Sequence, residues 1–213
     1  MLESVLPYLG PIGLILLALL AGVVSPGPSF VLVARTAIGN SRAAGVASAL
    51  GMAAGACVLC IVALLGLHAV LLQVPLAYWG LKLAGGIYLL YLAYKIWQGA
   101  KTPLVLADGA PPTAAGWLRH FVIGAGTMVS NPKAAVVYGV IFAALLPATP
   151  SAALSLALPP SVFVLEGSWY VLVALALSST RPRQTYLQAK TAIDRATGAV
   201  LGLLGIKLLL SSR

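Results

Sequence analysis

The sequence predicts an all-α integral membrane protein: six transmembrane helices in two inverted three-helix repeats, with helices 1 and 4 broken at proline motifs. Three observations lead there. Of 213 residues, 61% are apolar and only 8% charged, with a mean hydropathy of +1.02, whereas a soluble chain carries roughly a quarter of its residues charged. Six stretches approach or exceed the ~20 mainly apolar residues that a helix needs to cross a bilayer. Proline-bearing interruptions recur at matching places in the two halves of the chain. The net charge of +9, from 13 basic against 4 acidic residues, would suit nucleic acid only on a polar surface. Here the bases sit in short clusters between apolar runs, so the expected partner is the lipid bilayer and not nucleic acid.

The spans follow in order. The first, 7–34, is interrupted by Ser25-Pro26-Gly27-Pro28-Ser29. The start of the chain, Met1-Leu2-Glu3, lacks the basic region of a signal peptide, so this stretch is expected to stay in the protein. Span two, 43–72, carries Gly51 and Gly55, spaced for close helix packing, and Cys57 and Cys60 among small residues. Span three, 76–97, has Tyr78 and Trp79 at one end and Tyr94 and Trp97 at the other, the aromatic anchors of two interfaces. The segment 99–117, rich in Pro, Gly, Ala and Thr, reads as a cytoplasmic linker between a first repeat, 1–98, and a second, 118–213. Span four, 118–146, begins beside Trp117 and is interrupted by Ser130-Asn131-Pro132-Lys133. Span five, 152–178, holds an acid, Glu166, near its middle. Span six, 192–210, contains Gly198 and Gly202. His68 and His120 fall near span ends, as interfacial residues do.

Loop charge sets the orientation. Arg35 and Arg42 flank the connection after span one, and Lys95, Lys101 and Arg119 flank the linker. Arg181, Arg183, Lys190 and Arg195, with Asp194, flank the connection between spans five and six. The other two connections carry no charge. By the positive-inside rule the basic loops are cytoplasmic and both termini face out; a re-entrant first span would change the crossing count.

Two halves of three spans each must insert with opposite polarity. Pro26 in span one is matched by Pro132 in span four, and Lys82-Leu-Ala-Gly-Gly-Ile in span three by Arg195-Ala-Thr-Gly-Ala-Val in span six. Inverted repeats with paired broken helices mark secondary transporters, whose substrate site lies where the breaks meet. The plainer alternative is that the prolines only kink two helices. At the breaks, Asn131-Pro132 is a helix-start pattern of N-cap followed by proline, and Gly27-Pro28 reads the same way. Each would begin a half-helix whose unpaired N–H groups and dipole favour an anion. Ser25 belongs to the first of these sites. Glu166 supplies the opposite charge, as a proton carrier or an ammonium partner, because a buried carboxylate within a membrane is costly without a task. Its bland alternative is an ion pair with Lys133, which could instead support the anion site. Trp169 and Tyr170 follow Glu166 by three and four residues and would line the same cavity. Donors for a carboxylate with an acid for an ammonium describe a zwitterion site, and amino acids fit.

Other classes lack their residues. Two cysteines make no disulfide framework, the two histidines have no metal-ligand spacing, and no Gly-Lys-Ser/Thr loop is present. No cofactor or metal is expected, and no enzyme. A membrane thiol–disulfide electron carrier would want cysteines at the breaks, where Ser25 and Asn131 stand. An inorganic-ion transporter would want several intramembrane acids or thiols.

Ser25-Pro26-Gly27-Pro28 with Arg35 beyond it, Gly51, Gly55, the run Leu81-Lys-Leu-Ala-Gly-Gly-Ile-Tyr-Leu-Leu-Tyr-Leu92, Asn131-Pro132-Lys133 and an acid in span five together resemble the LysE/RhtB family of amino-acid exporters. The resemblance covers nearly the whole chain. It implies a bacterial inner-membrane exporter of amino acids or close derivatives, driven by proton antiport. Substrates in that family include threonine, homoserine and its lactone, lysine, arginine, leucine and cysteine. Glu166 stands where many relatives have Asp. Span four closes on Leu145-Leu146-Pro147 without the aromatic-rich ending many relatives have. The small-residue faces would pack inside the bundle or between the subunits of a homo-oligomer.

Overall fold

A computed structural model describes residues 9–73, 75–104, 116–147 and 150–210. Among these residues the chain forms eight α-helices and no strand: α1 (Leu9–Val24), α2 (Pro28–Gly39), α3 (Arg42–Gln73), α4 (Pro75–Gly99), α5 (Trp117–Val129), α6 (Pro132–Leu145), α7 (Ala152–Leu177) and α8 (Thr180–Leu210). Both expected interruptions are present. The helices α1 and α2 meet at 61° and α5 and α6 at 57°, so each pair is a bent unit with its proline motif at the bend. Gly27 is the N-cap of α2 with Pro28 in the first turn. Asn131 is the N-cap of α6, its side chain accepting from the backbone N–H of Lys133 and Ala134. Proline fits there because the first-turn N–H has no intrahelical acceptor to lose.

The expected spans 43–72, 76–97 and 152–178 coincide with α3, α4 and α7. Within the described residues, Arg42–Gly66 and Ala152–Leu177 are long and apolar enough to cross a bilayer alone, and the two bent pairs qualify if each is one span. Helix α4, at 25 residues, is about 37 Å long and α8 is longer, but lysines and tyrosines in α4 and a polar first half in α8 lower their hydropathy. The last helix departs from expectation. It begins at Thr180 and not near 192, because Pro182 falls in its first turn and nothing after it breaks the helix. Arg181, Arg183, Lys190, Asp194 and Arg195 therefore ride on a helix and not on a loop. Of the expected linker, 105–115 lie outside the described residues, as do both termini, 1–8 and 211–213.

Glycines set the helix contacts. A Cβ on Gly51 would fall on the Phe121 carbonyl and one on Gly124 on the Ser48 carbonyl, while one on Gly55 would come within 2.7 Å of Met128 Cβ and the Ala125 carbonyl. The backbones of α3 and α5 touch here because no side chain intervenes. Gly86 and Gly205 join α4 to α8 in the same manner, each within 3.2 Å of the other's carbonyl oxygen for an added Cβ. These small-residue faces are used inside the bundle. Helix α3 also packs on α7.

Phe30, Met52, Tyr138, Phe142 and Leu158 form the interior, whereas Leu17, Leu65, Leu156, Val164, Leu172 and Leu203 are exposed. An apolar exterior suits lipid, against which leucine has nothing to lose. Trp79, Tyr94, Trp97 and Trp117 lie on the outer surface as interfacial anchors do; the side chains of His68 and Tyr78 lie outside the described residues. His120, in the first turn of α5, is buried because the close α3–α5 contact encloses it, with Ser48 Oγ donating to its carbonyl at 3.3 Å.

Candidate functional site

The two breaks meet. Asn131 Nδ2 donates to Ser29 Oγ at 3.0 Å, across 102 positions of sequence, and Ser29 Oγ donates in turn to Met128 Sδ at 3.7 Å. One residue of the second break therefore caps its own half-helix through Oδ1 and clasps the first break through Nδ2. The geometry makes the two half-helix starts unequal. The N–H groups of Lys133 and Ala134 are already satisfied by Asn131. The start of α2 has no side-chain cap, so its orphan N–H groups remain available to an anion.

A cavity of about 40 Å³ lies at this junction, lined by Ser25, Gly27, Ser29, Asn131, Lys133, Tyr138, Glu166 and Tyr170, with apolar walls from α1 and α6. At about 10–15 Å³ per water, it has room for roughly three waters.

Glu166 closes one side of the cavity and is 0% exposed. Tyr138 OH donates to its Oε1 at 2.9 Å, and Oε2 has no hydrogen-bond partner among the described residues. Lys133 lines the same cavity. Its Nζ donates to the Gly22 carbonyl at 3.3 Å, at the C-terminal end of α1, where the helix dipole favours a cation. No ion pair within 4.0 Å joins Lys133 to Glu166 among the described residues; the ion pair found there is Lys190–Asp194. The acid and the base thus line one cavity without an ion pair between them.

Of the residues expected at the site, Ser25, Gly27, Asn131, Lys133, Glu166 and Tyr170 line this cavity, whereas Pro28 and Pro132 line a separate cleft with Ile123 and Thr127. Trp169 does not reach the cavity. At 100° per residue, positions three and four beyond Glu166 fall on opposite sides of it. Tyr170 takes the cavity side, while Trp169 is half-buried against the core with no partner for Nε1 among the described residues. Sequence reasoning passed over Ser29 and Tyr138. Tyr138 was reachable by spacing, since it shares an inner stripe of α6 with Ala134 and Val137. It also passed over Asp194, which is buried and accepts from Ser25 Oγ at 3.2 Å. No group of three His, Cys, Asp or Glu side chains placed to hold a metal ion exists among the described residues.

The sequence pattern of the LysE type translocators matches residues 20–212. The chain belongs to the LysE type translocator family. This LysE-type chain is a multi-pass membrane transporter and not an enzyme. It is 29% identical to the threonine efflux protein of Salmonella typhi and 28% identical to that of Escherichia coli (strain K12), each over 193 residues, 90% of this chain and 94% of the relative. It is also 28% identical to the uncharacterized membrane protein YahN of Escherichia coli (strain K12), over 87% of this chain and 82% of that one. No solved structure matches it.

Proposed function

We propose that this protein is a secondary active exporter of amino acids or close derivatives across the bacterial inner membrane, working by proton antiport. The observation that carries the reading is the Asn131–Ser29 contact, which brings both helix breaks to one cavity between Glu166 and Lys133. The substrate carboxylate faces the uncapped start of α2 and Lys133, and its ammonium faces Glu166. Glu166 exchanges the ammonium for a proton on the return step. Ser25, Gly27 and Asn131 shape the carboxylate end, with Pro28 and Pro132 fixing the half-helix starts. The threonine-efflux relatives make threonine the first substrate to test.

Six crossings in two inverted repeats, 1–98 and 118–213 joined by the linker 99–117, complete the proposal. In its support, each half of the described chain runs as a bent pair followed by two long helices. The equivalent helices α3 and α7 pack together, as do α4 and α8, which elements near a two-fold axis must do. Arg42 donates to Ser178 and Ser179 at 2.9 Å each, so two of the basic connections lie side by side. That agrees with a common cytoplasmic face and with termini outside.

The thiol–disulfide alternative is the weaker reading because Cys57 and Cys60 sit on α3 and neither lines the cavity. Cys57 Sγ donates instead to the Pro159 carbonyl at 3.1 Å. The test is reconstitution into proteoliposomes loaded with threonine and, in parallel, with a panel of other amino acids. Efflux that an imposed pH gradient accelerates is expected for the wild type. The Glu166→Gln variant should lose the gradient's effect and exchange amino acids more weakly, because the amide carries no charge for the ammonium. Unchanged gradient-driven efflux by Glu166→Gln would refute the coupling role.

A further inference from the structure

A second cavity, of about 250 Å³, adjoins the first and is lined by Ser25, Gly27, Lys95, Lys133, Lys190 and Asp194, among others. Ser25, Gly27 and Lys133 line both cavities, so these three residues form the wall between them. The larger space lies at the end of α4 where the basic linker begins. Three lysines against one carboxylate leave it positive, and its volume, unlike that of the central cavity, admits a small organic anion.

The wall is held by a specific contact. Of the four acids in the chain, the described residues include Glu166 and Asp194, and both are buried. Glu166 serves the central cavity, whereas Asp194 serves the wall. Its Oδ1 accepts from Ser25 Oγ at 3.2 Å and its Oδ2 from Lys190 Nζ at 2.8 Å. Lys190 Nζ also donates to the carbonyls of Gly99 and Ala100, at 3.1 and 3.2 Å. A rigid base made of α8 and the end of α4 therefore grips the first helix break through one hydroxyl. Ser25 sits between α1 and α2, in the short non-helical link where a small rotation would shift the wall.

We propose that this basic vestibule is a loading site for the substrate's carboxylate, and that the Ser25–Asp194 hydrogen bond is the gate between it and the central cavity. The proposal rests on the exporter reading for the identity of the anion, but not for the gate. A carboxylate entering from the linker side meets Lys95 first. Lys133, already facing both spaces, receives it when Ser25 releases Asp194, and the uncapped start of α2 completes its hydrogen bonds.

The experiment places a reporter cysteine, Ala134→Cys, in the central cavity of the full chain with Cys57→Ser and Cys60→Ser. The protein is held in phosphatidylcholine vesicles, so that no anionic lipid headgroup competes. Labelling rates are measured with an anionic and a cationic methanethiosulfonate reagent, added separately from each face. Ser25→Ala and Asp194→Ala should each speed anionic labelling from the Arg42 face by about tenfold or more, the shift that loss of a hydrogen bond to a charged group allows. The rate from the opposite face should not change. Lys95→Gln should lower the preference for the anionic reagent without abolishing it, since Lys133 and Lys190 still outnumber Asp194. An unaltered rate, or an equal rise from both faces, overturns the gate, and equal rates for the two reagents before Lys95 is changed overturn the carboxylate site. Threonine added during labelling reports on the other reading: gated, anion-selective labelling that no amino acid slows would leave the vestibule standing and refute amino-acid export.

Discussion

Removing one oxygen atom isolates the acid at the centre of the proposed mechanism. In the Tyr138→Phe variant, Glu166 loses its 2.9 Å hydrogen bond, and the other carboxylate oxygen has no partner among the described residues to compensate. The ring itself stays, keeping its edge contact with Phe142 at a centroid distance of 6.0 Å, so no cavity opens in the interior. A hydrogen bond to a charged group is worth about 1.5–3 kcal/mol, and its loss should make the ionised step of the cycle about 10- to 150-fold harder to reach. Initial rates of gradient-driven threonine efflux from proteoliposomes should fall by a factor in that range. The melting temperature in detergent should fall modestly, as expected for a buried acceptor left without its donor, while the protein stays folded. The double variant with Glu166→Gln should be no worse than Glu166→Gln alone, because the two residues act through one bond. Wild-type efflux by Tyr138→Phe, or additive losses in the double variant, would refute the idea that Tyr138 tunes a charge-changing Glu166.

Four further outcomes are expected. Gly27→Ala should export normally, since an added Cβ meets Lys133 Nζ at an ordinary 3.7 Å, whereas the longer Gly27→Leu should displace Lys133 and abolish exchange in the same vesicles. Asn131→Ala should lose a cap worth about 1 kcal/mol together with the bond to Ser29; membrane abundance on immunoblots should survive while threonine counterflow is lost. Gly124→Val should destabilise by at least about 1–3 kcal/mol, because the Ser48 carbonyl occupies the space, while Gly126→Ala, which meets nothing within 4 Å, should melt with the wild type. Cysteines in place of Arg42 and Arg183 should be shielded from an impermeant thiol reagent in intact cells and one in place of Ser151 labelled; the reverse pattern would invert the topology.

The fold was legible where the chain's own chemistry leaves little choice. A helix cannot run through Ser25-Pro26-Gly27-Pro28 with its donors missing, and Asn131-Pro132 starts a helix by the same rules in any solvent. Both breaks fall at the expected residues. The start of α8 was not legible, because hydropathy locates the part of a helix that meets lipid and not the part that continues past it. Residues 180–191 are polar and helical together, which a search for apolar runs must miss. The glycine pairs could be read as packing faces, but not which helices they join, since the partner of Gly51 is a backbone carbonyl on Phe121 and a carbonyl carries no sequence information.

At the site the same distinction separates Glu166 from Asp194. An acid flanked by apolar residues announces itself. An acid among Arg181, Arg183, Lys190 and Arg195 reads only as part of the charge count of a connection. What makes Asp194 more than half of an i,i+4 pair is the approach of α1 and α8, which delivers the Ser25 hydroxyl to it from across the chain. The consequence bears on how a transporter with so few charges can alternate. Lys133 faces the central cavity and the vestibule at once, with a buried acid serving each: Glu166 at the first and Asp194 at the wall of the second. A cation between two acids has two electrostatically reasonable directions in which to shift. A hydroxyl latch on the break beside it decides which is open, and neither direction requires exposing a bare charge to lipid.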